Sequence, residues 1–458
     1  MKKYIYGEPY ILEPLSCRAS DVHLPIKRVS LVSILSKLRK PSLGLLFFLL
    51  GLNGMYFLPM LFPMALRQEA QSGTYRFYML SWFLIIIGGI LETRTSGLWL
   101  IRRKRSWAIL LLSALVLMTI ISTLDSEPLI SIFNKSIPFY WLLLVPAIGV
   151  QARNWPWLWA VFISQAMIGI SFSLYAFFSK GATSRLATID MEGQNFLSTC
   201  LYIAIFMFLM IPMVRGKLFK ILILCTFSVE LLRTVFFAHR MIWFLLPAII
   251  MMLVYISFRS KMQEGVRLRS IVGLILSFIL FISIILLLAN SPSVMKAHPV
   301  LEQAYQELMN RMLEKGTLLD TILQNERWLE AETVVGTMEG LDWVFGKGLA
   351  ARWSNPLFAR GEERNMVHNT WLNAFYWGGV FLFLALFFPL LWVIRIFLRS
   401  YNRAALCYAG FALFIYMKFP SYLITFKTPE WILFCLALGA CISYEPALPN
   451  RYAHFIRG

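Results

Sequence analysis

A chain of 458 residues that is 59% apolar, 15% aromatic and only 15% charged is too hydrophobic for a soluble globular domain. It reads as an integral membrane protein. The formal net charge of +19 is then a matter of orientation in a bilayer, and gives no argument for a nucleic-acid partner.

Residues 1-43 carry Lys2, Lys3, Arg18, Lys27, Arg28, Lys37, Arg39 and Lys40 before any apolar run, unlike a cleavable signal peptide. They are expected to form a cytoplasmic basic tail, with the first span an uncleaved anchor. Apolar runs then recur, most of them long enough to cross a hydrocarbon layer of roughly 30 Å as helices. The expected spans are 44-66, 77-92, 107-124, 136-151, 156-178, 196-214, 221-238, 241-258, 271-289, 370-394, 404-420 and 431-444. Nine thus occupy 44-289, three follow in 369-444, and 445-458 forms a second cytoplasmic tail.

His239 and Arg240 interrupt the stretch 221-258, which is read as two spans joined by a tight outward turn. Reading it as one span would move every later loop to the other side. Short cytoplasmic loops retain Lys and Arg, and in the twelve-span arrangement the cytoplasmic segments hold 26 of the 43 such residues. The long segment 290-368 has 8 Lys or Arg against 11 Asp or Glu, as a periplasmic loop should. All six cysteines fall in spans or cytoplasmic segments, so a disulfide framework in that loop is excluded.

The patterning of 290-368 indicates an ordered cap. Leu301, Tyr305, Leu308 and Met312 recur at helical spacing, which predicts an amphipathic helix across the outer mouth. A second helical stretch, Leu318 to Met338, carries Ile322, Trp328, Leu329 and Val335 beside Glu326, Glu330 and Glu332. It ends at Gly340, and Gly346-Lys347-Gly348 marks a turn. No internal repeat or low-complexity tract interrupts this organisation.

The most informative stretch begins at His368, where the polar loop re-enters the membrane behind Arg352, Arg360 and Arg364. Histidine titrates near neutral pH, and such a boundary suits chemistry on an anionic lipid-linked substrate. Arg185, Arg240 and Arg327 fall on the same outer side. Arginine offers a planar fork of donors matched to phosphate oxygens and keeps its charge near a membrane. Converging arginines would hold a diphosphate and stabilise it as a leaving group.

Each of these residues has a plainer reading. Arg185 can be solvated or snorkelling, Arg327 can pair with Glu330 one turn on, and His368 can cap a helix or meet lipid headgroups. Arg240 occupies a tight turn between apolar spans, where a charge is costly without a partner. Glu230 and Arg233 share a helix face and read as a mutually neutralising pair. There is no Asp-x-Asp pair and no His-Glu-x-x-His, so a metal site has little support. Gly340 to Lys347 lacks the spacing and the following Ser or Thr of a phosphate loop.

In order and spacing these residues resemble the bacterial O-antigen ligase and polymerase superfamily of polytopic glycosyltransferases. The resemblance runs from Arg185, followed by Gln194-Asn195, through His239-Arg240, Arg327 and Gly346-Lys347-Gly348 to His368-Asn369 and Gly378. Two departures are that His239 stands where a small hydroxyl residue is usual, and Gly378-Gly379 where Gly-x-x-Gly is commoner.

The resemblance implies an all-α polytopic membrane protein of the bacterial inner membrane, GT-C-like. About twelve transmembrane helices would carry a helical periplasmic cap, with both termini cytoplasmic and the active site facing the periplasm. It further implies inverting transfer of a glycan from undecaprenyl diphosphate to an acceptor hydroxyl, with lipid A-core the favoured acceptor and no metal or other cofactor. His368, Arg240 and Arg327 are the implied catalytic residues, with Arg185, Asn195, Asn369, Arg352 and Arg364 binding substrate. Ligation is favoured over polymerisation because there is one dominant late loop, and the external loop 179-195 is short. Protein O-glycosylation remains an alternative. So does a twelve-span secondary transporter, although the chain shows neither repeat symmetry nor a sizeable central cytoplasmic link.

Overall fold

The computed structural model describes residues 42–61, 74–96, 103–125, 128–150, 201–214, 216–236, 240–261, 326–349, 351–354, 367, 369–418 and 429–444. Among these the chain is helical, with no strand. The helices are α1 (Leu43–Leu61), α2 (Thr74–Ser96), α3 (Arg105–Leu124), α4 (Leu129–Val150), α5 (Lys217–Phe236) and α6 (Arg240–Lys261). They are followed by α7 (Glu326–Gly336), α8 (Asp342–Phe345), α9 (Thr370–Arg399), α10 (Arg403–Lys418) and α11 (Pro429–Ser443). Residues 201–209 are also helical.

Most of these helices fall on the expected spans, with α5 ending at Phe236 and α6 beginning at Arg240; the turn expected between them lies outside the described residues. The expected spans 156-178 and 271-289 and the amphipathic stretch around Leu301 lie outside the described residues. Of the stretch Leu318 to Met338, residues 326–338 are described, and α7 covers Glu326–Gly336 of them. By length and composition, α3 and α9 are long and apolar enough to cross a membrane.

Several helices are apolar on their outward faces as well as their inward ones. Leu80, Phe83, Ile87 and Ile90 of α2 are exposed while Trp82 and Ile85 are buried. In α3, Ile109, Leu112, Val116 and Ile120 are exposed while Trp107, Leu111, Leu115 and Met118 are buried. An exposed apolar stripe at helical spacing is costly against water and suited to hydrocarbon. By contrast α11 is buried on every side from Glu430 to Ile442, the pattern of a central helix.

Close helix packing depends on small residues, which let backbones approach. A Cβ on Gly51 would meet the Ser81 carbonyl at 2.6 Å, and one on Gly88 the Phe48 amide nitrogen at 2.7 Å, so α1 and α2 fit only as glycine leaves them. Gly149 and Gly439 bring α4 and α11 together in the same way, against the Leu436 and Pro146 carbonyls.

Helix α9 carries the architecture toward the site. It runs alongside α3: Lys104, just ahead of α3, lies 4.5 Å from the centre of the Trp392 ring, and the Trp107 Nε1–H donates to the Ala385 carbonyl at 2.7 Å. Pro389, four residues beyond Ala385, has no N–H and removes the donor that carbonyl would otherwise receive. Trp107 supplies the replacement from a neighbouring helix. Nearer its start α9 is interrupted again, at Gly378 (φ −130°, ψ 16°) and Gly379 (φ 57°, ψ −152°). The sequence alone led to an unbroken span here.

The two ends of α9 differ in chemistry. At its C-terminal end, the Arg259 guanidinium stacks 3.9 Å from the Tyr401 ring centre and donates to the Leu398 carbonyl. Arg403, 8% exposed, donates to the Ser260 hydroxyl at 3.2 Å and the Pro212 carbonyl at 3.3 Å. At the opposite end lie α8 and the turn that follows it.

Candidate active site at the head of helix α9

The break in α9 would strand two carbonyls, those of Tyr376 and Trp377, whose usual donors lie four residues on. The turn expected at Gly346-Lys347-Gly348 fills both. The Lys347 N–H donates to the Tyr376 carbonyl at 2.8 Å and the Gly348 N–H to the Trp377 carbonyl at 2.9 Å. Gly346 (φ 76°) and Gly348 (φ 81°) adopt left-handed backbone, which glycine reaches without penalty. Side chains are also excluded by contact: a Cβ on Gly346 would strike the Trp377 carbonyl, and one on Gly379 the Val344 carbonyl.

Further bonds hold the cap segment in place. Leu349 donates its N–H to the buried Ser122 hydroxyl at 2.8 Å, tying the turn to the end of α3. The Lys347 ammonium pairs with Asp342 at 3.2 Å, so its charge is engaged within the turn. Phe345 stacks on Phe381 and Trp343 packs on Phe375, with ring centres 5.9 and 5.6 Å apart. Cap segment and broken helix therefore form one hydrogen-bonded unit.

Just before the break, the head of α9 is polar and buried. Asn369 is the N-cap: its Oδ1 accepts from the Leu372 N–H at 3.1 Å, satisfying one of the donors a helix start leaves open. Asn373, fully buried one turn on, accepts from the Val367 N–H at 3.2 Å through Oδ1. Tyr376 donates its hydroxyl to the Arg352 carbonyl at 3.2 Å, fixing that residue beside α9 while its side chain is exposed. Among the residues named from sequence, Arg352 and Asn369 are thereby brought to the same helix head.

The remaining named residues are placed less fully. Arg240 is the first residue of α6 and Arg327 the second of α7, as backbone positions only. Glu330, the suggested local partner of Arg327, is buried at 1% exposure. His368, Arg185, Asn195, Arg360 and Arg364 lie outside the described residues.

The structure adds polar groups that sequence reasoning passed over. Lys418 closes α10 at 3% exposure, 5.7 Å from the Tyr202 ring centre, and Glu430 opens α11 at 5%. Both stand at the α9-head side of their helices, since Trp371 of α9 stacks on Tyr416 at 5.8 Å. Their signal was present as a charge at each end of the segment 418–430, where burial is expensive. Asn373 left no such signal, because an asparagine in an apolar run does not disclose which backbone group it will meet.

No family model matches the chain, and neither does any curated protein or solved structure.

Proposed function

We propose that the protein is a membrane glycosyltransferase that moves O-antigen glycan from undecaprenyl diphosphate to lipid A-core. The observation that carries this reading is the docking of the Gly346-Lys347-Gly348 turn onto the Gly378-Gly379 break. It gives two of the motif elements behind the family resemblance a physical function, as complementary halves of one joint. The opposite ends of α9 add support: the Arg259 and Arg403 cluster lies at the end expected to face the cytoplasm, and the cap segment at the other.

In this reading Arg185, Arg240 and Arg327 hold the donor diphosphate, with Arg352 and Arg364 beside them and Asn195 and Asn369 contacting substrate. His368 takes the proton of the acceptor hydroxyl as its oxygen attacks the anomeric carbon. The bond from that carbon to the diphosphate oxygen breaks, its electron pair leaves on the diphosphate, and the arginines stabilise the charge. Attack opposite the leaving group inverts the anomeric configuration.

The test is the lipopolysaccharide profile of a deletion strain together with its undecaprenyl-linked glycan. Loss of all O-antigen bands with accumulation of long lipid-linked polymer is the expected result. A core carrying a single repeat would indicate a polymerase. An unchanged profile would overturn the proposal and direct attention to protein glycosylation or transport.

A further inference from the structure

Asn373 is an expensive residue for its position. It is fully buried, and among the described residues its Nδ2 has no hydrogen-bond acceptor. The orientation of the amide is decided by its other end: the Val367 N–H needs an acceptor, so Oδ1 must face it and Nδ2 must face away. A buried donor left unsatisfied costs about 1–3 kcal/mol, so a leucine of similar size would suit the packing better. What leucine could not do is hold the Val367 N–H.

That bond acts on a specific piece of backbone. Val367, 1% exposed, is the residue immediately before His368, and Asn369, immediately after it, caps α9. The Asn373 N–H also donates to the Asn369 carbonyl at 2.9 Å. Both neighbours of His368 are thus tied to the first turn of α9, and Asn373 takes part in both attachments. Catalysis by a general base depends on where its ring nitrogen stands, and a displacement of about 1 Å can cost about 100-fold in rate.

We propose that Asn373 is a positioning residue for His368, acting through the Val367 N–H; the inference rests on the function proposed above. Three variants of the full-length protein in lipid test it: Asn373→Leu removes the acceptor with little change in volume, Asn373→Asp keeps an oxygen at the same reach, and Asn373→Ala serves if leucine does not fold. Two readouts are taken, hydrogen exchange across residues 366-372 and steady-state transfer from undecaprenyl-diphosphate glycan to lipid A-core.

Asn373→Leu is expected to unfold no earlier than wild type, exchange faster at Val367, and lose about 100-fold in kcat with acceptor KM little changed. Asn373→Asp is expected to restore slow exchange and much of the turnover. Unchanged exchange in Asn373→Leu, or wild-type turnover with that substitution, overturns the inference alone. A wild-type protein that transfers nothing overturns the functional reading, and this inference with it.

Discussion

Lys347 donates its backbone N–H to the Tyr376 carbonyl at 2.8 Å, occupying an acceptor that the break at Gly378-Gly379 would otherwise leave empty. In hydrocarbon an unfilled carbonyl costs several kcal/mol, because no water is there to replace the missing donor. A buried helix can therefore be broken only where another element supplies donors. Here the supplier is the cap segment. The same rule explains Trp107, which fills the Ala385 carbonyl that Pro389 deprives of its donor.

Substituting the break is expected to undo the joint. Gly379→Ala forces a side chain into backbone open essentially to glycine alone and against the Val344 carbonyl, for about 1–3 kcal/mol of conformational strain before any clash is counted. Thermal unfolding of the purified protein should shift sharply downward. Gly336→Ala, with nothing within 4 Å of the added Cβ, should leave it unchanged or slightly raised.

Removing the indole donor tests the proline-induced vacancy. Trp107→Phe keeps an aromatic ring but leaves the Ala385 carbonyl unpaired, and should cost about 1–3 kcal/mol in the same unfolding measurement. Trp343→Phe, at a residue 41% exposed, should cost much less.

The link between α3 and the turn rests on one hydroxyl. Ser122→Ala strands the buried Leu349 N–H and should destabilise the protein by about 1–3 kcal/mol, while Ser113→Ala, on the exposed face of α3, should have little effect.

Orientation can be read chemically. In a cysteine-free background, Glu339→Cys should react with a membrane-impermeant maleimide added outside spheroplasts, whereas Asn402→Cys should react only after the membrane is opened. Both positions are exposed and lie at opposite ends of α9. The reverse pattern would place the cap segment in the cytoplasm and remove the proposed periplasmic site.

The proposed diphosphate clamp predicts a graded response at Arg240. Arg240→Ala should lower transfer by about 100-fold or more, and Arg240→Lys, which keeps charge but loses the planar fork, should fall between. Equal transfer by all three proteins in the lipid A-core assay would take Arg240 out of the site.

Much of the helical order was legible because a long apolar run has few alternatives to a helix when no water can pair its backbone. The separation of α5 from α6 was legible from His239 and Arg240, and the turn at Gly346 from its glycines. The interruption of α9 was not. Two adjacent glycines within an apolar run fit either a close helix contact, as at Gly88, or a break, as at Gly379, and local pattern does not separate them.

By itself, the sequence determined that the described segments are helices and that a turn stands at Gly346-Lys347-Gly348, because composition and backbone freedom are local properties. Only the tertiary structure decided what that turn is for. The stranded carbonyls of Tyr376 and Trp377 need donors from somewhere, and the fold brings Lys347 and Gly348 to them from nearly thirty residues away. It likewise decided the partner of Asn373, since a buried amide commits to whichever backbone group the packing sets against it.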